Sequence, residues 1–504
     1  MFRENTGVNF ARDVLDWLPP QELALLELAR DGTRREWTFG EVSERSARLA
    51  GALRSHGVKR GDVVMTLIGN RPEWVLAMCA CFRIGAVALS CTEQLRAKDL
   101  RLRLAVTRPA LVIADERNRS ELEAAMAGGG EIPVALVPDE ALLETEPAPI
   151  VELCDEDPCL ITFTSGTAGE PKAVVHGQRY LLGQQLQAKH WLGARKGELV
   201  WCTAASGWSK SARNVFIAPW LSGAAGVLHD ARFDPHERLE ILARERVNVL
   251  CMAPTEYRAI AKQAPLRPFA DLRGMVAAGE ALNPEVLHAW EQATGLQIRD
   301  GYGQTETGQL TGTPLDKQAR PGSMGRPLPG VGLVIKDGEL TANPMTVPTF
   351  FLGYMGEEVR RAGDGSWIVQ DRRRGGPWRT GDRVREDGGG WLRFEGRGDD
   401  VIVSAGYRIG PFEVESALVA HPAVAEAAAV AASEEVRGAV VRAVIVLREG
   451  YDPSPELARE LQEHVKRETA PYKYPRIVDF VDQLPKTASG KIRRAALRAE
   501  TQSP

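Results

Sequence analysis

Nine consecutive residues concentrate groups suited to holding phosphate: Thr164, Ser165, Gly166, Thr167, Ala168, Gly169, Glu170, Pro171 and Lys172. Hydroxyls, glycines and one lysine in a single loop can wrap phosphate oxygens with backbone N–H groups and a fixed positive charge. This is not a Walker loop, which runs G-x-x-x-x-G-K-[ST] into a helix, because Pro171 turns its predecessor away from helix. Alone, the stretch reads equally well as a surface hairpin tip. Further clusters follow in order. Gly279, Glu280 and Ala281 make a small-residue corner after an apolar run ending at Ala278. Asp300, Gly301, Tyr302, Gly303, Gln304, Thr305 and Glu306 bring together a ring, an amide, a hydroxyl and two carboxylates. Residues 378–382 read as a turn ending in the carboxylate of Asp382. Arg397, then Ala405, Gly406, Tyr407 and Arg408, and finally residues 486–491 ending in Lys491 close the series. Singly, each is an ordinary turn signal.

The elements that must position these groups follow from periodicity. Residues 160–163 predict a strand entering the first loop. Thr38 and Glu41 have capping-box spacing, Val42, Leu49 and Leu53 share a helical face, and Gly57 offers a C-cap. Short apolar strands at 63–68, 86–89 and 111–114, with a helix at 74–82, give a βαβ rhythm and a mostly parallel sheet. Strand and helix signals resume over 199–290, whereas 311–395, rich in Gly, Pro and Arg, predict a distorted β subdomain. Pro411 can open a helix. Strands at 424–430, 440–447 and 477–481 and an amphipathic helix at 454–468 complete a small α+β unit. The expected fold class is α/β: a large domain over 1–398 and a small C-terminal domain over 399–504.

Composition narrows the function. The chain has 504 residues, 44% hydrophobic and 26% charged, with net charge −4. That is too long for one core and lacks the basic excess of a nucleic-acid binder. Arg372, Arg373 and Arg374 read as a solvated loop beside glycines. Seven cysteines without a CxxC pair argue against structural zinc and for reduced thiols, hence a cytoplasmic protein. Arg3, Glu4, Arg12 and Asp13 interrupt any secretory signal, and Arg83 interrupts the longest apolar stretch, so no membrane span is expected. There is no G-x-S-x-G elbow and no post-strand G-x-G-x-x-G, against serine-hydrolase and dinucleotide-binding readings.

Together and in this order, the clusters resemble the adenylate-forming superfamily of acyl-CoA synthetases, luciferases and peptide-synthetase adenylation domains, from about Trp37 to Arg494. Residues 405–411, 421–424, 469–476 and 484–487 are similar to the medium-chain acyl-CoA synthetase branch. The resemblance implies an ATP-dependent acid–CoA ligase with two half-reactions, Mg²⁺ as cofactor, small-molecule partners only, and a monomer or homodimer. It implies that Thr164, Ser165, Gly166, Thr167, Gly169 and Lys172 hold the outer phosphates. Gly279, Glu280, Ala281, Asp300, Gly301, Tyr302, Gly303 and Gln304 would surround the adenine. Thr305 would meet the α-phosphate, with Glu306 and Thr167 on the metal. Asp382 would accept from the ribose, with Arg397 and Arg408 nearby. Lys491 would bridge carboxylate and α-phosphate, acting with Thr305 and Glu306 in catalysis. Asp399 would be the hinge on which the small domain rotates. Gln94, Ala405, Gly406, Tyr407, Arg437, Lys466, Tyr474, Pro475 and Arg476 would contact CoA.

The same resemblance implies an acyl pocket of Trp208, Lys210, Ala278 and Gly303. Acetate-specific relatives carry tryptophan where Gly303 stands, so the glycine is expected to open the pocket floor to acids longer than acetate. Lys210 is unusual for an alkyl pocket. It is expected to point outward, the alternative being contact with a polar acyl tail or the carboxylate, and Arg213 raises the same question. Ala168, where relatives carry Thr or Ser, removes one phosphate donor, and Ala173 replaces a common glycine. Aromatic or branched acids, or a carrier-protein acceptor, are the alternative substrates.

Overall fold

The structure is a computed structural model that describes residues 7–129, 131–164, 170–280, 282, 284–398, 400–404, 407–434, 438–487 and 491–499. Ser165, Gly166, Thr167, Gly169, Ala281, Asp399, Ala405, Gly406 and Arg437 therefore lie outside the described residues, as does the side chain of Arg408.

Two large sheets are built on parallel strands. In the seven-stranded sheet, Val63–Leu67 pairs in parallel with Val87–Cys91 and Leu111–Asp115, and Val87–Cys91 with Pro158–Phe163. Every residue of these four strands is buried, as continuous apolar runs covered on both faces must be. The nine-stranded sheet centres on Leu199–Cys202, Ala225–His229, Val249–Met252, Gly274–Ala278 and Ile298–Gln304, again parallel. Antiparallel Gly308–Gly312 lies beyond Ile298–Gln304, and Arg34–Thr38 closes the other edge.

Local signals act as their chemistry requires. Thr38 Oγ1 accepts from the Glu41 N–H at 3.2 Å, and the Glu41 carboxylate accepts from the Thr38 N–H at 2.8 Å. This box starts the helix Phe39–Ser55 and is worth about 1 kcal/mol. Gly57 ends it at φ 86°, letting the Val58 N–H reach the Leu53 carbonyl. The apolar helix Pro72–Ile84 is buried all round. Its residues share one core with Val64 and Ala88 of one sheet and Val200 and Val249 of the other. Among the described residues no helix is long and apolar enough to cross a membrane.

A four-stranded antiparallel sheet follows, of Leu333–Lys336, Glu339–Ala342, Trp378–Glu386 and Leu392–Arg397. Residues 378–382 are thus strand and not the expected turn. Gly381 takes φ 73° within a bulged strand, so its turn-like signal marks an irregularity. Arg373 is tied to Glu156 and Asp371, while Arg374 is exposed.

The C-terminal part has its own core. Val424–Glu434, Gly438–Leu447 and Ile477–Phe480 form a three-stranded sheet covered by the helices Pro411–Ala420 and Pro455–Glu468. Leu457, Leu461 and Val465 supply the buried stripe of the second helix, against Val414, Leu418 and Ile445. Ser454 caps that helix by accepting from the Leu457 N–H at 3.1 Å.

Candidate active site

Parallel strands leave their carboxyl ends on one side of a sheet, where loops are free to carry chemistry. The segments that follow the strands of both large sheets line one cleft of about 1590 Å³. Thr164 and Lys172 come from the seven-stranded sheet, and Thr203, Asp230, Glu280 and residues 300–306 from the nine-stranded one. The third sheet contributes Trp378, Asp382 and Arg397, and the C-terminal part contributes Lys486, Lys491 and Arg494. Residues spread over three hundred positions thereby share a wall.

The best-ordered corner surrounds Asp382. The Tyr302 hydroxyl donates to Asp382 Oδ2 at 2.5 Å, and Gln304 Nε2 donates to the same oxygen at 2.8 Å. Gln304 also donates to the Thr380 carbonyl at 2.7 Å and accepts from the Trp378 indole at 3.0 Å. Arg397 Nε lies 3.9 Å from Asp382 Oδ1. Burial pushes the Asp382 carboxyl up, against the pull of Tyr302 and Arg397. Asp300 has the Gly301 N–H at 2.8 Å and no cation, so burial pushes its carboxyl up to about 8. Thr255 Oγ1 donates to Glu280 at 2.8 Å. Sequence reasoning noted Trp378 and Thr380 only as parts of the 378–382 turn and missed Thr255, since each acts through a partner far along the chain.

The phosphate-side candidates line the same cleft. The Thr164 N–H donates to the Lys172 carbonyl, and the Lys172 N–H to Thr164 Oγ1, both at 2.9 Å. They close a connection between the antiparallel strands Pro158–Phe163 and Ala173–Gly177, and the described ends of that connection, Thr164 and residues 170–172, line the cleft. Lys172 Nζ lies 2.9 Å from Glu357 and 4.5 Å from the centre of the Tyr354 ring. The Tyr354 hydroxyl donates to Glu306 Oε1 at 2.8 Å. Tyr354 and Glu357 were also missed, having no motif of their own. Among the described residues no group of three or more His, Cys, Asp or Glu could hold a metal ion. A lone Glu306 carboxylate does not make a resident metal cage. It does suit Mg²⁺, which takes one or two carboxylates and completes its shell with phosphates and water.

Lys491 enters the cleft from the C-terminal part. The Thr487 N–H bonds the Lys491 carbonyl at 2.8 Å and Thr487 Oγ1 accepts the Lys491 N–H at 3.2 Å, which fixes its backbone. Burial and the neighbouring Lys210 and Arg397 push its ammonium down, against Glu280 and Asp382.

Two expectations about the acid pocket are corrected. Lys210 does not point outward: its Nζ turns inward to the Ala278 carbonyl at 3.4 Å, close enough to Lys491 to act on it. It stands in the short helix Ser209–Ala212, directly after Trp208, and the helix aims it across the cleft. Gly303 does not open a floor by omitting a side chain. A Cβ there would sit 1.9 Å from the Gly308 carbonyl oxygen, so the bulge between Tyr302 and Gly303 requires glycine for backbone approach.

The expected CoA contacts are brought together in part. Lys466 Nζ lies 4.2 Å and the Arg476 guanidinium 4.9 Å from the Tyr474 ring centre, with Pro475 buried between. Tyr407 stacks on Tyr472 at 4.3 Å and is 53% exposed. None of these five lines the cleft, whereas Gln94 does.

Such a cleft, lined by a carboxylate–tyrosine–arginine corner and by the described ends of a phosphate-type loop, defines a nucleotide-binding α/β enzyme. Residues 19–349 match the family model described as AMP-binding enzyme, and residues 413–491 match AMP-binding enzyme C-terminal domain. The chain belongs to this adenylate-forming, AMP-binding enzyme family. It is 38% identical to an uncharacterized acyl-CoA ligase of Bacillus subtilis (strain 168), YtcI, over 95% of this chain and 93% of that one. It is 37% identical to the human mitochondrial acyl-coenzyme A synthetase ACSM4, over 97% and 90%. Among solved structures, the anthranilate CoA ligase AuaEII in complex with anthranoyl-AMP superposes with a TM-score of 0.87 at 28% identity, covering 99% of this chain and 98% of that one. A benzoate CoA ligase from Burkholderia xenovorans LB400 gives 0.85 at 27%, covering 97% and 100%.

Proposed function

We propose that the chain is an ATP-dependent acid–CoA ligase for a short- or medium-chain acid. The observation that carries this reading is the entry of Lys491 into the cleft that holds Asp300, Tyr302, Asp382, Arg397, Thr305 and Glu306. In the first half-reaction the acid's carboxylate attacks the α-phosphorus of ATP and pyrophosphate leaves. Carboxylate is a weak nucleophile and meets a polyanion, so cations and oriented donors must gather where charge builds. Lys491 holds the carboxylate and α-phosphate together, and Thr305 donates to the phosphate. The loop closed by Thr164 and Lys172 takes the outer phosphates. Lys172 exchanges Glu357 for them, a small loss because that pair is exposed. Asp382 and Arg397 take the ribose, and Tyr302 the base. Glu306 would hold Mg²⁺, which neutralises phosphate charge when bound.

In the second half-reaction the CoA thiol attacks the acyl carbonyl, the thioester bond forms, and AMP leaves. Lys491 now occupies space the thiol needs, and Tyr407, Lys466, Tyr474, Pro475 and Arg476 do not line the cleft. The C-terminal part, divided from the rest at residues 398 and 399 with Asp399 as hinge, therefore rotates between steps. The seven free cysteines suit a reducing, cytoplasmic setting.

An acid panel tests this. Pyrophosphate release should require an acid and ATP, and a CoA thioester should appear only with CoA. Adenylate without thioester would point to a carrier-protein acceptor. An aromatic acid is the second reading, favoured by the similarity to the anthranilate and benzoate CoA ligase structures, so benzoate and 2-aminobenzoate belong in the panel.

A further inference from the structure

Arg213 is 5% exposed and lines the cleft, in the π-helical turn Arg213–Ile217. Its Nε and Nη1 are buried and have no hydrogen-bond partner, and among the described residues no carboxylate pairs with it. The other buried arginines differ. Arg83 pairs with Asp16, Arg179 with Glu156 and Arg238 with Glu256, and Arg103 donates to the Asp99 carbonyl. A guanidinium does not shed its proton, so burying this charge is costly unless an anion or water solvates it.

The surroundings are polar. The Gln184 amide and the Ser209 hydroxyl are buried beside the Tyr180 hydroxyl, on which Arg213 also acts. Lys210 precedes Arg213 by three residues, about 4.5 Å along a helix axis, and its Nζ lies near Lys491. Lys491, Lys210 and Arg213 line the same cleft, so an acid whose carboxylate meets Lys491 can carry a second anionic group towards the guanidinium.

We propose that the acid taken by this cleft carries a second carboxylate and that Arg213 receives it. The inference rests on the acid–CoA ligase reading and names its substrate class: a straight-chain dicarboxylic acid. Only one carboxylate reacts. Its oxygen forms the bond to the α-phosphorus and pyrophosphate leaves. Thiol attack then releases AMP and a proton, and the second carboxylate stays free on the thioester. Arg–carboxylate pairing is bidentate and directional, and a site built for it rejects an analogue that leaves the donors unpaired.

Matched pairs on the full chain decide it: butanoate and butanedioate, pentanoate and pentanedioate, hexanoate and hexanedioate, with ATP, Mg²⁺ and CoA. Pyrophosphate release and the mass of the thioester are read. At one length or more, the diacid should exceed its partner in kcat/KM by at least about tenfold. Arg213→Met should reverse that preference, Arg213→Lys should restore part of it, and the Arg213→Met melting temperature should equal or exceed that of the parent. Preference for the monoacid at every length overturns the inference and leaves the ligase reading intact. So does a diacid-to-monoacid ratio in Arg213→Met within about twofold of the parent. If no acid releases pyrophosphate, the ligase reading falls and thermal shifts with the diacids alone decide. Stabilisation of the parent but not of Arg213→Met upholds the anion site, and no stabilisation of the parent overturns it.

Discussion

Asp300 keeps its proton to about pH 8 because the cleft wall desolvates it without supplying a cation. The unfolded chain releases that proton near 3.8, so between these values the folded state binds more protons and stability falls as pH rises. Asp300→Asn should therefore melt like the parent near pH 3. Its advantage should grow through the window from about 4 to 8 and then level off, as read by melting curves across pH. Lys491 makes the complementary case at the same scale. Lys491→Ala should slow acyl-adenylate formation by about 10²-fold or more. The conversion of supplied acyl-adenylate and CoA to thioester should change little, measured as separate half-reactions.

Individual elements fix what these residues can do. Trp378–Glu386 pairs with Leu392–Arg397 so that Asp382 faces Arg397 across the ladder, and one register step would turn both away from the cleft. The bulge at Gly303 is as demanding. Gly303→Trp should lose about 1–3 kcal/mol or more of stability, as overpacking does. It should lower activity towards acetate, butanoate and octanoate alike, because its Cβ would meet the Gly308 backbone. A clean shift towards acetate, with an unchanged melting temperature, would restore the pocket-floor role. The helix Ser209–Ala212 and the π-turn after it decide that Lys210 and Arg213 look inward, which residue types alone argued against.

At the scale of the whole molecule, the two parts also touch where Lys262 Nζ donates to the carbonyl of the cleft-lining Ala425 at 3.1 Å. A short bis-maleimide joining Lys262→Cys and Ala425→Cys, in a background with the exposed Cys154 replaced by Ser, should hold Lys491 in place. Pyrophosphate release in the first turnover should survive and thioester formation should be lost. Thioester formation at the parent rate would show that no rotation is needed.

The sequence by itself determined most of the elements and the order of the candidate motifs. Capping at Thr38, the continuous apolar strand runs and helical apolar patterns, and the glycine at position 57 act over a few residues, and short-range chemistry is written in short-range order. It also nominated Lys210 and Arg213 as anomalies, because cations are out of place in an alkyl pocket. Only the tertiary structure decided their direction, the strand identity of residues 378–382, the reason for Gly303, and the company of Trp378, Tyr354 and Thr255. Each depends on a partner tens to hundreds of positions away. Tyr302 reaches Asp382 and Lys491 reaches the wall beside Glu280 only because parallel strands deliver their carboxyl ends to one cleft and a separately packed C-terminal core closes over it.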